Sequence, residues 1–381
     1  MFIEEKILNA IISKKFLGIR KLKILILSAS IGSGHTKAAE SIEKILNHEV
    51  QTIDFMSKEI SLLNWLTKKI YLTALKFIPD LYDRIYKFVG ARRSGIFARL
   101  LTSATMYFPF TKIIKNFRPD VVICTHPFPE AAASLWKFLH AKSAENFLLA
   151  AVLTDYSLHE IWIYSEVDIY FVATDEMKNE LASHCRQNQE IHAVGIPVGK
   201  EFLSMRNEKL SIFPPFKLSI LIMGGGLGLG SIEETLSELE NISVPLKIFV
   251  VAGQNEKLLS RLKNFKSKHE IKIFGYVENI CELMKNSDLL ITKPGALTMT
   301  EAFAAGLPMI LHAPIPGPEA KNAEYAIKND AAISADKKIS EVIKKFLENP
   351  ARLSEMSLNA KKLSKVNAAF EIVDKIFSAA K

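Results

Sequence analysis

Two short apolar runs, each closed by glycines and followed by a helical pattern, constrain the fold of this chain more than any other feature. Ile24–Ile31 and Leu218–Met223 are rich in β-branched and leucine side chains, the mark of strands buried on both faces of a parallel sheet. From Lys21 the pattern alternates: a strand at Ile24–Ser28, a helix at Thr36–Leu46 and a strand at Gln51–Asp54. This is a βαβ unit, which requires a parallel sheet with right-handed crossovers. After a mainly helical insertion, Met56–Phe117, strands are expected at Val121–Cys124, Leu148–Leu153, Ile169–Ala173 and Ile191–Val194. Gly195-Ile196-Pro197 then breaks the pattern, and 199–216, with Pro214 and Pro215, reads as a linker. A second set follows at Leu218–Met223, Leu246–Val251, Ile271–Phe274, Leu289–Thr292 and Pro308–Leu311, and the last helices, from Ile339, have no strand after them.

The chain's 381 residues exceed what one core usually serves. The expected architecture is α/β, two Rossmann-like domains with parallel sheets facing a central cleft, ligands sitting at the C-terminal ends of the strands. The divisions are an amphipathic extension at 1–20, a first domain at 21–198 with an insertion at 56–118, the linker at 199–216, a second domain at 217–364, and a C-terminal helix at 365–381 reaching back to the first domain.

Charge narrows the partners. The net charge of +8 and pI near 9.1 ask for an anionic one. Much of the excess lies in the insertion, where Lys58, Lys68, Lys69, Lys76, Arg84, Lys87, Arg92, Arg93, Arg99, Lys112, Lys115 and Arg118 alternate with Trp65, Tyr71, Phe77, Tyr82, Tyr86, Phe88 and Phe97. Such interleaving suits a lipid headgroup interface. Nucleic acid is the weaker reading, since no RNP, KH or zinc-finger pattern accompanies it. Phe2, Ile3, Ile7, Leu8, Ile11, Ile12 and Phe16 fall on one side of a helix that packs on the protein body or meets a membrane. No apolar run approaches the ~18–20 residues that span a bilayer. Cys124, Cys185 and Cys281 make no CxxC pair, which fits a reducing cytoplasm and argues against a disulfide framework or structural zinc.

The chemistry gathers at strand ends. Ser28–His35 is the turn after the first strand: Gly32 and Gly34 allow close backbone approach, and His35 is left near a helix N-terminus that favours the neutral imidazole. Asp54 lies about 20 residues on, as in a dinucleotide fingerprint, but Lys37 stands at the third glycine position, so Asp54 reads better as a strand-end residue or cap. Asp155, after the strand at 147–153, is a base or orienting partner, or else a helix cap. His126 and Trp162 are expected on the acceptor side. In the second half, Gly224, Gly225 and Gly226 open a glycine cluster without the GK[ST] of an ATP loop. Gly295 starts a helix whose free N–H groups suit a diphosphate, Glu301 lies one and a half turns inside it for a ribose diol, and Tyr276-Val277 can flank a base. Together these cover a whole nucleotide.

Ser30-Ile31-Gly32-Ser33-Gly34-His35 and Lys293-Pro294-Gly295-Ala296-Leu297-Thr298-Met299-Thr300-Glu301 resemble glycosyltransferase family 28 of the GT-B fold, and within it the diacylglycerol glycosyltransferases. Thr154–Trp162, Val172–Asp175, Gly195–Pro197, Phe274–Asn279 and Pro316–Glu319 match the same group, so the resemblance covers about Leu22 to Ile333. It implies an inverting transfer of a hexose, glucose favoured over galactose, from a UDP-sugar to diacylglycerol or glycosyl-diacylglycerol at the cytoplasmic face of the membrane. By motif, Glu301 would bind the ribose, Gly295, Ala296, Leu297 and Thr298 the diphosphate, Glu319 and Asn322 the donor sugar, and Tyr276 and Val277 the uracil, with His35 or Asp155 as base. Family members commonly carry Gln where this chain has Pro318. No Asp-x-Asp motif lies near either glycine site, and a helix dipole can take a metal's place, so no cofactor and no essential metal are expected. The competing expectations are a UDP-N-acetylglucosamine-using enzyme of the same fold, acting as a lipid-carrier transferase or an epimerase, and a non-catalytic sugar-nucleotide sensor.

Overall fold

A computed structural model describes residues 21–58, 60–62, 65–66, 69–70, 73, 92–141, 146–207, 217–226, 231–314, 317–335 and 338–380. Segment 1–20, with its amphipathic pattern, and much of the basic aromatic stretch, including Lys68, Lys76, Arg84 and Lys87, lie outside these residues.

The first half comprises β1 (Lys23–Ser28), α1 (Gly34–Glu43), β2 (Glu49–Asp54), α2 (Arg92–Phe117), β3 (Val121–Cys124), α3 (Pro127–Leu139), β4 (Leu148–Val152), β5 (Ile169–Phe171), α4 (Asp175–Ala182) and β6 (Glu190–His192). The second comprises β7 (Ser219–Met223), α5 (Ile232–Leu239), β8 (Lys247–Val251), α6 (Glu256–Leu262), β9 (Glu270–Phe274), α7 (Cys281–Lys285), β10 (Leu289–Thr292), α8 (Ala296–Ala305), β11 (Met309–Leu311), α9 (Pro318–Lys328), β12 (Ala332–Ser334), α10 (Ile339–Glu348), α11 (Ala351–Lys362) and α12 (Ala368–Ala379). Each half builds a six-stranded parallel sheet, in the orders β2-β1-β3-β4-β5-β6 and β12-β11-β10-β7-β8-β9.

Both orders reverse once. The first does so between β1 and β3, the second between β7 and β10. At such a switch point the following loops part in opposite directions and leave a crevice at the C-terminal edge of the sheet, where ligands bind. The glycine turns after β1, β7 and β10 fall beside these crevices.

Burial on both faces explains the unbroken apolar strands. Ile24 and Ile26 of β1 point into a cluster closed by Ile372, Val373, Ile376 and Phe377 of α12, so the C-terminal helix covers the outer face of the first sheet. Leu25 and Leu27 point the other way, into an apolar cluster that continues to Leu221, Met223, Leu290 and Leu311 of the second sheet. The outer face of the second sheet is covered by Ile339, Ile343, Phe346, Leu353 and Met356.

Two stretches differ from the sequence reading. Lys200–Asn207 is a 3₁₀ helix, with Phe202 and Met205 buried in the shared cluster, although the pattern suggested a linker there. β12 adds a strand at the sheet edge where none was expected.

Candidate active site

The loop after β1 is held from below. Asp54, at the end of β2, accepts hydrogen bonds from the backbone N–H of Ser30 at 3.0 Å and of Met56 at 3.1 Å, and from the Ser30 hydroxyl. Its carboxylate braces the turn, as a strand-end residue does. Gly32 takes φ 93°, a conformation a side chain would strain. His35 then enters the crevice on the first turn of α1, and Nδ1 lies 3.0 Å from the Thr125 carbonyl and 2.6 Å from Thr154 Oγ1. A carbonyl only accepts, so Nδ1 carries the proton and Nε2 the lone pair. Thr125 Oγ1 donates back to the His35 carbonyl at 3.0 Å. Burial lowers the His35 pKa to about 4, partly offset by the Thr125 bond, so the ring is neutral at physiological pH. His126, the N-cap of α3, stands edge-on to it at 4.6 Å between ring centroids, and burial followed by the neighbouring His35 pushes its pKa well down too.

On the facing side, the loops after β7 and β10 lie together. A Cβ on Gly225 would stand 3.4 Å from Lys293 Cε, and one on Gly226 only 2.4 Å from Ser33 Oγ, so the glycine cluster lets the two halves approach. Gly295 is the N-cap of α8, whose C-terminus closes on Gly306 in the left-handed conformation at φ 63°. Ala296 and Leu297 are buried, and Thr298 is half-buried, at this helix mouth. Lys293 and Glu319 form a largely buried ion pair beside it; a Cβ on Gly295 would be 3.8 Å from Lys293 Nζ and 4.0 Å from Glu319 Oε1. Glu301 is 6% exposed, and loss of water raises its carboxyl to about 7, against the pull of Lys37. Tyr276 is 48% exposed at the rim, and Val277 packs partly buried behind it.

The segment after β4 crosses between halves. Tyr156 N–H donates to Asn322 Oδ1 at 2.8 Å, while Asn322 Nδ2 donates to Asp155 Oδ1 at 3.1 Å and to the Pro294 carbonyl at 3.3 Å. The Tyr156 hydroxyl pairs with Thr300 at 2.8 Å, and its ring stacks on Tyr325 at 4.6 Å. Asp155 therefore sits against the mouth of α8. Its pKa rises to about 6, chiefly through desolvation, with Asn322 and Lys293 lowering it and Glu319 raising it.

The sequence reading and the geometry thus meet at His35, His126, Gly32, Gly34 and Asp155 from one half, and at Gly224, Gly225, Gly226, Gly295, Glu301, Glu319 and Asn322 from the other. Two residues have different surroundings from those expected. Trp162 is 4% exposed within the core, and its carbonyl accepts from Tyr170, so it is a packing residue there. Asn322 is fully buried, its amide already spent on the crossing contacts. Sequence reasoning gave Lys293, Thr125 and Tyr156 no role of their own; Lys293, first residue of the Pro-Gly turn motif, carried the clearest signal. No group of three or more His, Cys, Asp or Glu side chains suited to a metal occurs among the described residues, and no described helix is long and apolar enough to cross a membrane.

Each half of the chain matches a family model: monogalactosyldiacylglycerol (MGDG) synthase over residues 35–198, and the glycosyltransferase family 28 C-terminal domain over residues 219–373. A processive diacylglycerol beta-glucosyltransferase of Bacillus cytotoxicus is 32% identical over 379 residues, covering 94% of this chain and 94% of that protein. The protein of the same name from Bacillus licheniformis is 29% identical over 377 residues, covering 93% and 94%. Among solved structures, MurG of Acinetobacter baumannii matches with a TM-score of 0.58 at 17% identity, over 94% of this chain and 100% of that one. The UDP co-structure of MnaA from S. aureus matches at 0.57 with 12% identity, over 94% and 96%. At these identities the solved structures speak for the fold, which is GT-B.

Proposed function

This chain belongs to glycosyltransferase family 28, among its diacylglycerol glycosyltransferases, and from that membership we propose that it transfers a hexose from a UDP-sugar to diacylglycerol or glycosyl-diacylglycerol. Glucose is the favoured sugar, as in the names of the relatives. The reaction runs at a membrane surface on its cytoplasmic side. The observation that carries the reading is the meeting of the two switch-point crevices, with the neutral His35 in one and the mouth of α8, flanked by Lys293, in the other.

The transfer is one inverting displacement. His35 Nε2 takes the proton of the acceptor hydroxyl, the oxygen forms a bond to C1 of the sugar, and the bond from C1 to the diphosphate oxygen breaks. UDP leaves with its charge facing the N–H groups that open α8 and the Lys293 ammonium, without an essential metal. The arriving diphosphate raises the low His35 pKa, which improves the base where it is needed. Asp155 holds the Asn322 amide against the mouth of α8, and Glu319, paired with Lys293, is the carboxylate beside the donor sugar. The outward side chains Phe97, Leu100, Leu101 and Phe108 of α2, all exposed, support a lipid-facing role for that helix, as do Lys58 and Lys69 with their ammonium groups 5.7 and 4.1 Å from the Trp65 ring.

The test is purified protein with UDP-glucose, UDP-galactose or UDP-N-acetylglucosamine on diacylglycerol vesicles, with and without anionic lipid. Glucolipid formation is expected, faster on anionic vesicles. No glycolipid from any donor would sink the proposal, and turnover of UDP-N-acetylglucosamine without diacylglycerol would redirect it.

A further inference from the structure

Lys37 stands where a dinucleotide-binding turn would carry its third glycine, and the transfer described above leaves it without a task. It lies on α1, in the half opposite the nucleotide elements, yet three observations bring it to them. First, α1 and α8 touch at their starts: a Cβ on Gly34 would lie 3.6 Å from Leu297 Cβ. Residues three and four apart share a helix face, and one turn further along their helices, on the faces that carry this contact, stand Lys37 and Glu301. Second, the Lys37 ammonium is 5.8 Å from the centroid of the half-exposed Tyr276 ring, on the loop after β9. Third, Lys37 is the cation whose field draws the Glu301 carboxyl back down. One positive charge from the first half thus lies near a flat ring suited to a base and acts on a carboxylate suited to a ribose.

We propose that Lys37 is a donor-binding residue supplied across the cleft, its ammonium contacting the diphosphate of the UDP-sugar where that group joins the ribose. The proposal rests on the UDP-sugar reading of the site. Its consequence is that the donor is gripped from both halves: α8 holds the diphosphate from one side and α1 from the other. Lys37 acts as a compact charge that seeks phosphate oxygen.

The experiment compares UDP and uridine binding to the full-length enzyme by titration calorimetry, using competition where uridine is weak, for the wild type, Lys37→Met and Lys37→Arg. Met keeps the aliphatic stem on α1 and removes only the charge, and melting temperature checks that each variant is folded. The expected result is a UDP Kd raised about tenfold or more in Lys37→Met, the loss of one charge-assisted hydrogen bond. Uridine should change less than about twofold, Arg should recover part of the loss, and the salt dependence of UDP binding should flatten with Met. Equal losses for UDP and uridine would overturn the proposal, because Lys37 would then act only through Glu301 or Tyr276; so would no loss for either. A wild-type enzyme that binds no UDP would instead overturn the UDP-sugar reading itself.

Discussion

His35 Nδ1 faces the Thr125 carbonyl at 3.0 Å, a pairing between residues 90 positions apart that links the loops after β1 and β3. It fixes the tautomer, because the carbonyl has no proton to give. The basic nitrogen, Nε2, is the one proposed to meet the acceptor. Replacing His35 by Ala should lower turnover by about 10²–10⁴-fold, the usual worth of a positioned base. UDP affinity should stay within about threefold. Turnover assays and calorimetry on the same preparation check both, and a variant retaining more than a tenth of the activity would move the base to Asp155.

Glu301, expected at the ribose, should make nucleoside binding pH-dependent. Its carboxyl, raised from an ordinary 4.5 to about 7, is half protonated near neutrality, and only the carboxylate accepts hydrogen bonds from both ribose hydroxyls. Uridine has no titrating phosphate, so its affinity should rise as pH climbs from about 6 to 8 and then level off. Glu301→Gln should bind weakly with a flat profile. The effect on stability has the opposite sign: a raised carboxyl pKa favours the folded free enzyme below 4.5, and that contribution is lost as pH rises through about 7. Glu301→Gln should therefore melt higher than wild type at pH 8 without ligand.

The fold was legible where burial on both faces left continuous apolar runs. Val121–Cys124 and Leu289–Thr292 could be read with their observed bounds. At sheet edges the signal thins: β6 runs Glu190–His192 where Ile191–Val194 was expected, and β12 is a three-residue strand ending on the exposed Ser334. The 3₁₀ helix at Lys200–Asn207 was hidden because its packing rests on Phe202, Met205 and a partly buried Leu203, too few to show a period. In the site, the glycine turns were legible because a switch-point loop needs them. The crossing contacts were not: Tyr156 and Asn322 are 166 positions apart, and nothing local in either stretch announces the other.

Asn322 is the clasp between halves, with one oxygen and one nitrogen meeting Tyr156, Asp155 and Pro294. Asn322→Ala should cost about 2–3 kcal/mol of stability, since partners buried on both sides lose their bonds. It should also raise the donor KM. Denaturant unfolding gives the first quantity and steady-state kinetics the second. Unchanged stability would mean that the Tyr156–Thr300 bond and the apolar contacts suffice to hold the halves.

Arg99 fastens α2 to the segment that carries Asp155. Nη1 donates to the Glu160 carbonyl at 3.1 Å and the Ile163 carbonyl at 2.5 Å, and lies 3.6 Å from the Glu160 carboxylate. Arg99→Met removes these bonds while keeping an apolar stem, and kcat/KM for diacylglycerol in vesicles should fall about tenfold, the cost of one or two charge-assisted bonds. UDP binding, on the other half, should be unchanged. Equal losses for acceptor and donor would point to general loosening of the first half.

Pro318 is the first residue of α9, after Gly317 at φ 97°. The position suits proline, because a first-turn N–H has no partner within the helix and φ is already right. The cost falls on recognition, since a Gln here would bring a carboxamide beside Glu319 and the Lys293 ammonium, where the donor sugar is proposed to lie. Pro318→Gln should raise kcat/KM for one hexose donor over its epimer by about three- to tenfold, the worth of one neutral hydrogen bond. It should lower stability by less than about 1 kcal/mol, because the unfolded chain regains freedom. Competition between UDP-glucose and UDP-galactose measures the ratio directly. An unchanged ratio would mean that position 318 does not touch the sugar, and would leave donor choice to Glu319 and to an Asn322 that must first release Tyr156.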